Sequence, residues 1–397
     1  MAFGFRLPWT RTEETRAART HAPAAKSWLP GAIAALSGDA GARWSGRSYA
    51  AIAREGFMRN PVAHRATRMI AEAAASVPWL VFDGDREQER HPVKDLLTRP
   101  DPNGAGDGFF ETLYGHLVLS GNAWINPVGA GGRIAGLQLL RPDRMRVIEG
   151  ADGWPVAYEH LSGGRRQRFA VNPEEGPGLL HLKLFHPLDD HLGFAPLEAA
   201  LMALDLHNAA MSWNKALLDN SARPSGALVY QPKDGGNLTP EQYERLKAEL
   251  EDGYQGARRA GRPMLLEGGL DWKAMGLTPR DMDFIEARNG AARDIALALG
   301  VPPMLLGIPG DLTYANYQEA NRAFCRLTVL PLVARTAQAL TAWLQPVHGA
   351  GLKIDYDADR LPGLAAERDG LWARLGAADF LTDEEKREAV GYQSVAV

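Results

Sequence analysis

The sequence predicts an α+β fold that is mainly helical and contains a layer of antiparallel strands. Long segments with clear helix start and stop signals cover most of the chain. Short alternating runs separated by turns fill the region from Ile134 to Phe185, a spacing typical of antiparallel strands. A compact α/β insert interrupts the second half. With 397 residues, of which 45% are hydrophobic, the chain is long enough for two or three domains.

Composition narrows the classes of function. The formal net charge of -4 does not indicate a globally basic nucleic-acid-binding protein. The single cysteine, Cys325, excludes an internal disulfide framework, and its neighbours "RAFCRLTVL" predict a buried helix face. The sequence has no run of 18 apolar residues, so we expect no membrane span. Residues 1–48 lack the apolar stretch of a signal peptide, and we expect a flexible N-terminal arm.

The first half alternates helices and strands. Asn60 followed by Pro61 predicts a helix start, and "VAHRATRMIAEAAAS" continues that helix until "VPWLVF" switches to a strand. A second helix, "GFFETLYGHLVLSG", runs into the strand "NAWINPV". Five further segments predict the strands of the antiparallel layer: "IAGLQLL", "MRVIEG", "PVAYEHL", "RQRFAV" and "LLHLKLF".

A single helix about 37 Å long is predicted from Pro196 to Asn220. Its apolar residues share one narrow seam, which is typical of a helix that packs against a copy of itself or a neighbour: Leu197, Leu201, Leu204, Met211 and Leu218. A second set recurs every seven residues on another face: Glu198, Asp205, Ser212 and Asp219. From periodicity alone, this second stripe is interpreted as a solvated surface.

The insert follows this helix. "GALVYQ", "RPMLLEGG" and "DWKAMGL" predict three short strands. After the first strand, Thr239, Pro240 and Gln242 predict the capped start of a helix. A second helix begins at Thr278 and Pro279 and runs towards Gly300.

Two further helices are predicted near the C-terminus. Thr313 begins a long helix that we expect Pro331 to kink and that ends near Pro346. In "LTDEEKREAVG", Thr382 and Glu385 predict a second capping box.

An unusual loop, 301–312, joins two of the long helices. Its tandem prolines predict a stiff base, and Gly307 and Gly310 predict an adjustable tip. The tip is apolar, although loops ordinarily run over the surface in water, so we expect it to meet something other than water. The loop has no lysine or arginine. Its candidate site residues are Pro302, Pro303, Met304, Leu305, Leu306, Gly307, Ile308, Pro309, Gly310 and Asp311.

Motifs for enzyme chemistry are missing. The sequence contains no phosphate-binding G-x-x-x-x-G-K-[ST], no G-x-S-x-G and no H-E-x-x-H. The best metal candidate is the segment "HLKLFHPLDDHLG", where His186, Asp189, Asp190 and His191 lie close in sequence. We interpret this segment as a surface junction between strand and loop, and we expect neither a catalytic residue nor a cofactor.

The order of these elements resembles the portal proteins of tailed phages and of phage-like gene transfer agents. Three blocks carry the resemblance: "GFAPLEAALMALDLHNAAMSWNKALLDNSARPSGALV", "ARDIALALGVPPMLLG" and "TYANYQEANRAFCRLTVLPL". The closing "LTDEEKREAVG" is similar to the family's L-T-x-x-E-x-R. The likeness runs from about Asn60 to Gly391. Ala195 departs from the family's serine, and alanine is a poor helix N-cap.

The resemblance implies a ring, usually of twelve subunits, at one vertex of a capsid. Double-stranded DNA is packaged through the ring by a separate terminase and later ejected, and a head–tail adaptor docks there. The implied partners are other copies of the chain, non-specifically bound double-stranded DNA, the terminase large subunit, the adaptor and the major capsid protein. The implied location is the virion or phage-like particle, after assembly in the host cytoplasm.

The resemblance also implies a division into regions: wing, 49–194; first stem helix, 195–220; clip, 221–278; second stem helix, 279–300; tunnel loop, 301–312; long kinked wing helix, 313–360; and crown, 361–397. The acidic stripe of the first stem helix then lines the channel. The clip presents charged candidates for partner binding: Glu244, Glu251, Arg258, Arg259 and Arg262.

Two other hypotheses remain open from the sequence. One is a head–tail adaptor or another phage structural protein without a DNA channel. The other is a metal-dependent enzyme that uses the histidine and aspartate cluster.

Overall fold

The fold is seen in a computed structural model, which describes residues 46, 48–101, 104, 106–130, 133–171, 173, 176–219, 226–230, 239–245, 248, 270–274, 284–310 and 314–390. Long helices and small antiparallel sheets alternate along these ranges. The predicted α+β class is therefore confirmed. The predicted N-terminal arm lies outside the described residues, except for residues 46 and 48.

Four helices form the first part of the chain. Asn60 caps the second of them, accepting hydrogen bonds from the backbone N–H groups of Val62 and Ala63, so the predicted helix start is confirmed. A π-helical segment, Ala53–Met58, separates the first two helices. The four are α1, Tyr49–Ile52; α2, Pro61–Ala75; α3, Pro92–Thr98; and α4, Gly106–Ser120.

The predicted β layer consists of two three-stranded antiparallel sheets. The first has the order β4-β3-β8, and the second has the order β5-β6-β7. Both sheets use strands that the alternating pattern had located. Their bounds are β3, Asn122–Ala130; β4, Arg133–Leu140; β5, Met145–Glu149; β6, Pro155–Ser162; β7, Arg165–Ala170; and β8, Leu180–Lys183.

A third sheet joins distant parts of the chain. Strand β1, Trp79–Asp83, pairs with the short strand β2, Arg86–Glu87. On its other side β1 pairs antiparallel with a strand near the C-terminus, Leu352–Tyr356, called β11 below. We had not predicted this last strand, because a five-residue segment without a nearby hairpin partner carries little local signal.

The predicted stem helix is divided into two parts. Its first turn is a 3-10 helix, Pro196–Ala200, and the α-helix proper, α5, is Leu201–Asp219. Ala195 makes no side-chain capping bond, which agrees with the weakness expected of alanine at this position.

The described part of the insert contains two strands. Gly226–Tyr230 (β9) pairs antiparallel with Leu270–Ala274 (β10). The predicted capping box is present, because Thr239 and Gln242 exchange hydrogen bonds of 2.9 and 3.3 Å. The predicted strand "RPMLLEGG" and the helix starts at Thr278 and Thr313 lie outside the described residues.

The last helices are α6, Phe284–Ala298; α7, Tyr314–Phe324; α8, Leu330–His348; α9, Ala365–Gly376; and α10, Asp383–Ala389. Between α7 and α8 the helix widens into a π-helical segment, Cys325–Val329. Pro331 lies in the first turn of α8, so the irregularity that we predicted at the proline lies just before it. A proline ring clashes with the carbonyl four residues earlier, and a wider turn relieves that clash. The predicted capping box of Thr382 and Glu385 is confirmed.

The main core lies between α2, α4 and the continuous helical segment 315–348. That segment is long and apolar enough, by length and composition, to cross a membrane. Its residues Val329, Val333, Leu340 and Leu344 are buried in the core, and Cys325 is buried beside them as predicted. Core packing thus accounts for much of its apolar character.

Candidate channel loop and its surroundings

The loop after α6 has a defined backbone conformation. Residues Pro303–Leu306 form one turn of 3-10 helix, in which the Leu305 N–H donates to the Pro302 carbonyl over 3.0 Å. Gly307 ends the turn in the left-handed region with φ of 71°. The loop therefore has secondary structure of its own. The tandem prolines favour this turn, because each fixes φ near the value that a helical turn requires.

The apolar residues of the loop pack within the same subunit. Ile308 is only 6% exposed and lies in a small cluster with Ala292 and Ala296 of α6. Leu305 and Leu306 are half-buried against the main core. In the described part of the loop, the apolar side chains therefore meet their own subunit rather than water, and contact of the loop with DNA stays a prediction. The exposed residues are Gly307, Pro309 and Gly310, and Asp311 lies outside the described residues.

The base of the loop is held by short hydrogen bonds. Gly300 ends α6 with φ of 66°, and its carbonyl accepts a hydrogen bond of 2.6 Å from the Thr328 hydroxyl. A Cβ at Gly300 would lie 2.8 Å from that hydroxyl oxygen, so this position favours glycine both sterically and conformationally. The Val301 N–H donates to the Ala296 carbonyl over 2.9 Å. The predicted stiffness of the base agrees with these contacts.

A cation lies beside the loop, although the loop itself contains none. Arg293 of α6 donates from Nη2 to the Pro309 carbonyl over 2.5 Å and remains exposed. The sequence pattern missed this residue, because it is separated from Pro309 by one helix turn, the 3-10 turn and the glycine cap. Any polyanion that touched the loop tip would also meet this guanidinium.

The four residues of the predicted acidic stripe do not share one environment. Glu198 lies in the 3-10 turn and is half-buried, as is Asp205 on α5. Ser212 is exposed, donates to the Asn208 carbonyl and accepts from Arg59. Nothing is described of the Asp219 side chain. The described part of the predicted stripe therefore contains two carboxylates, and both are half-buried.

The apolar seam of the same helix is buried only at its beginning. Leu197 and Leu204 are fully buried in the main core, whereas Met211 is exposed. The side chain of Leu218 lies outside the described residues. Further apolar side chains are exposed on α5 and on α6, which packs against it: Met202, Leu206, Trp213, Ile285 and Leu297.

A buried polar cluster connects α5 to the N-terminal helices, and only its helix cap was predicted from the sequence. The Asn60 amide nitrogen lies 3.0 Å from Nδ1 of His207 and donates to Oδ1 of Asn208 over 2.9 Å. The Asn208 amide in turn donates to the Glu55 carbonyl in the π-helical segment. Burial lowers the pKa of His207, and Arg288 acts in the same direction. The neutral imidazole is thus the form that accepts from Asn60.

The candidate metal residues are engaged in local hydrogen bonds. Nδ1 of His186 accepts from the Leu188 N–H, and Oδ1 of Asp189 accepts from the N–H groups of His191 and Leu192. Nε2 of His191 lies 3.5 Å from the Glu149 carboxylate. Among the described residues, no three His, Cys, Asp or Glu side chains are grouped so that they could hold a metal ion. The candidate residues follow the end of β8 at Lys183 and lie in a loop held by its own hydrogen bonds, in agreement with our interpretation of a strand-to-loop junction.

Of the five predicted partner-binding residues of the insert, one lies among the described residues. Glu244 is exposed in the helical residues 240–245. Glu251, Arg258, Arg259 and Arg262 lie outside the described residues.

Comparison with known proteins decides the family. A family model described as phage portal protein matches residues 61–391. The chain belongs to the phage portal protein family. The resemblance inferred from the sequence is thereby confirmed, and the portal fold with it.

Two solved structures are similar over nearly the whole chain. One, the neck of an empty GTA particle computed with C6 symmetry, contains a chain 54% identical to this portal family member, with a TM-score of 0.71. The match covers 89% of this chain and 96% of that one. The other is the neck of a native GTA particle computed with C12 symmetry. It contains a chain 52% identical to this one, with a TM-score of 0.68, and the match covers 91% of this chain and 98% of that one.

A more distant relative comes from a phage. The portal protein of Enterobacteria phage HK97 is 25% identical over 81% of this chain and 76% of its own length.

Proposed function

We propose that this protein forms a ring-shaped channel at one vertex of a gene transfer agent particle. Double-stranded DNA is packaged through the ring by a separate terminase and later leaves through it, and a head–tail adaptor docks on its outer side. The observation that carries the proposal is the 54% identity to a chain in the neck of a GTA particle, over 89% of this chain. Twelve subunits are proposed because a similar neck is computed with C12 symmetry.

The surface of the described stem region supports association with further copies. Met202 and Leu206 of α5 and Ile285 and Leu297 of α6 expose apolar side chains, and Met202 and Leu297 are more than 70% exposed. Apolar side chains exposed on two packed helices are typical of an interface. In a ring, each subunit uses two different surfaces, and the contacts close at a fixed rotation.

We propose that α5 and α6 form the stem, that the insert between them forms the clip, and that residues 301–312 line the channel. The described loop supports a smooth lining, because Gly307, Pro309 and Gly310 present no donor or charge from a side chain. Each cation placed on a phosphate adds affinity through counterion release, so a conduit works best with few of them. Arg293 is the exception, and its guanidinium is partly engaged by the Pro309 carbonyl.

The remaining regions are also assigned by proposal. The sheets and helices of 49–194 and the helical segment 313–360 form the wing, facing the major capsid protein. The residues after 360 form the crown. The clip, 221–278, contacts the terminase large subunit during packaging and the adaptor afterwards. We propose no catalytic role for the chain, whose hydrolytic partner is the terminase.

Electron microscopy of particles tests the function. Particles assembled with all structural proteins should show a ring with a central hole at one vertex, and antibody against this chain should label that vertex alone. Labelling spread over all vertices, or a vertex that contains the chain without a ring, would refute the proposal. Rings formed only in the presence of capsid protein would still support it.

A further inference from the structure

A cluster of arginines on the sheet β5-β6-β7 is not used by the proposed channel. Cross-strand pairing places Arg146 and Arg168 on either side of Glu159, and places Arg166 opposite Leu161. Residues that lie directly opposite one another share a face of the sheet, so these three arginines lie on one face. Arg165, at the start of the edge strand β7, pairs with Ser162 and therefore lies on the other face of the sheet. We call Arg146, Arg166 and Arg168 the arginine face.

The other side of the sheet is buried, which fixes the orientation of the arginine face towards solvent. Met145 and Tyr158 alternate with the arginine-bearing positions and lie in a core cluster with Trp124. Phe169 of β7 packs against the same cluster. The three arginines are correspondingly exposed.

These charges have no ion-pair partners among the residues that the structure describes. Arginines elsewhere in the protein form ion pairs, as Arg141 does with Asp143 and Arg326 with Glu367. No member of the arginine face forms an ion pair with another residue in the part of the chain that the structure describes. On this face of the three strands, Glu159 is the single acidic residue, and it is half-buried. Three like charges without ion-pair partners among the described residues repel one another until an external anion neutralises them.

The chemistry of the face favours phosphate over an acidic protein. Protein interfaces have a core of apolar and aromatic side chains from which charged residues are depleted. Here Glu159 and Leu161 lie between the arginines, and the apolar one of the two, Leu161, is 43% exposed. Alternate residues of a strand are about 7 Å apart, and β5 and β7 are about 10 Å apart. A duplex carries one charge per about 1.7 Å of its axis, so such a cluster meets several phosphates at once.

We propose that the arginine face binds the phosphate backbone of duplex DNA that is stationary within the particle. This inference rests on the proposed function, which brings DNA to the protein. It assigns holding and passage to different surfaces, since the described loop that we propose for the channel presents no cationic side chain of its own. A protein of net charge -4 would thus hold DNA at one local basic surface.

The test compares two double variants of the full chain with equal changes of charge. Arg166→Gln with Arg168→Gln removes two of the three arginines of the arginine face. Arg86→Gln with Arg90→Gln removes two exposed arginines on and after β2 that likewise lack described ion-pair partners. Binding of a fluorescent 30-base-pair duplex is measured between about 50 and 200 mM salt. The first variant should bind at least tenfold more weakly at the lowest salt, and its slope of log K against log salt should fall by about 2. The second variant should match wild type in both its affinity for the duplex and its salt slope.

Equal binding by wild type and both variants overturns the inference, as does an equal loss in the two variants. If the first variant binds DNA normally but no longer enters particles with the capsid protein, the face belongs to an acidic protein partner and the inference is also overturned. Electron microscopy of the same samples separates this result from the function above. Missing rings in the wild type would refute the channel, whereas the salt slope tests the arginine face alone.

Discussion

His181 shows how a single residue is decided by its surroundings. Its ring stacks on Trp124 with centroids 4.5 Å apart and planes 5° apart, and its Nε2 lies 2.9 Å from Oδ1 of Asn122. Burial lowers its pKa to about 3, and Lys183 acts in the same direction. The unfolded chain, with an ordinary pKa near 6.5, therefore binds the proton more tightly than the folded chain. Stability from this residue is complete above about pH 6.5 and decreases as the pH falls towards 3.

We predict that His181→Phe flattens this pH dependence. Phenylalanine retains a ring against Trp124 and removes the titrating group. Between pH 6 and 4 the free energy of unfolding of wild type should fall by up to about 1.4 kcal/mol per pH unit more than that of the variant. Urea denaturation at a series of pH values measures the difference. At pH 8, where the imidazole is neutral in both states, any difference reports the lost Asn122 bond together with the changed packing of the ring. Curves that stay parallel from pH 8 to 4 would contradict the prediction.

At the scale of elements, helix ends explain where the long helices are regular. Asn60 and Thr382 cap α2 and α10 with side-chain hydrogen bonds, and both helices begin where the sequence predicted. Ala195 offers no acceptor, and the chain enters α5 through a 3-10 turn. Pro331 has no backbone N–H to donate, and its ring crowds the preceding turn. The π-helical segment just before it accommodates both. At α5 and α8 the irregular turn thus occurs where a cap or a backbone donor is missing.

We predict that Ala195→Ser stabilises the protein by about 1 kcal/mol, because a serine hydroxyl can accept from an N–H of the first turn. The midpoint of urea denaturation measures the gain. Thr382→Ala serves as the matched change in the opposite direction and should lower stability by about the same amount, since it removes the capping box. A serine variant no more stable than wild type would show that the 3-10 turn is imposed by packing of the buried Leu197 rather than by the cap.

For the whole molecule, passage of DNA depends on what a ring of loops presents to the channel. Gly310 is exposed, and a Cβ there meets nothing closer than the Arg293 guanidinium at 3.9 Å. Substitution at this position should therefore alter the charge of the lining without disturbing the fold. Leu305 and Ile308 are unsuitable for this purpose, because they pack against the core and against α6.

We predict that Gly310→Lys slows packaging, whereas Gly310→Gln, of similar length and without charge, does not. Twelve added cations would bind phosphates, and the effect should be strongest at low salt and fade as salt rises. The rate of DNA entry into particles in a packaging reaction, measured at several salt concentrations, gives the result. Equal rates for the two variants at every salt concentration would mean that Gly310 does not line the channel.

Local signals in the sequence determined most of the elements and the family. Helix caps, the alternation of the strands and the block "ALGVPPMLLG" act over short distances along the chain. The elements that they predicted lie in the described structure, apart from the strand "RPMLLEGG" and the helix starts at Thr278 and Thr313, which fall outside the described residues. The division into wing, stem, clip and crown stays a prediction.

The tertiary structure alone decided how distant residues meet. The pairing of β1 with β11, the buried cluster of Asn60, His207 and Asn208, and the arginine face all depend on contacts between separated segments. The loop shows the physical reason most clearly. Its apolar residues look exposed when read as a loop, but a 3-10 turn directs Leu305 and Leu306 back onto the core, and the chain reversal after Gly307 buries Ile308 against α6. Burial depends on which surfaces the folded chain brings together, and a short stretch of sequence does not contain that information.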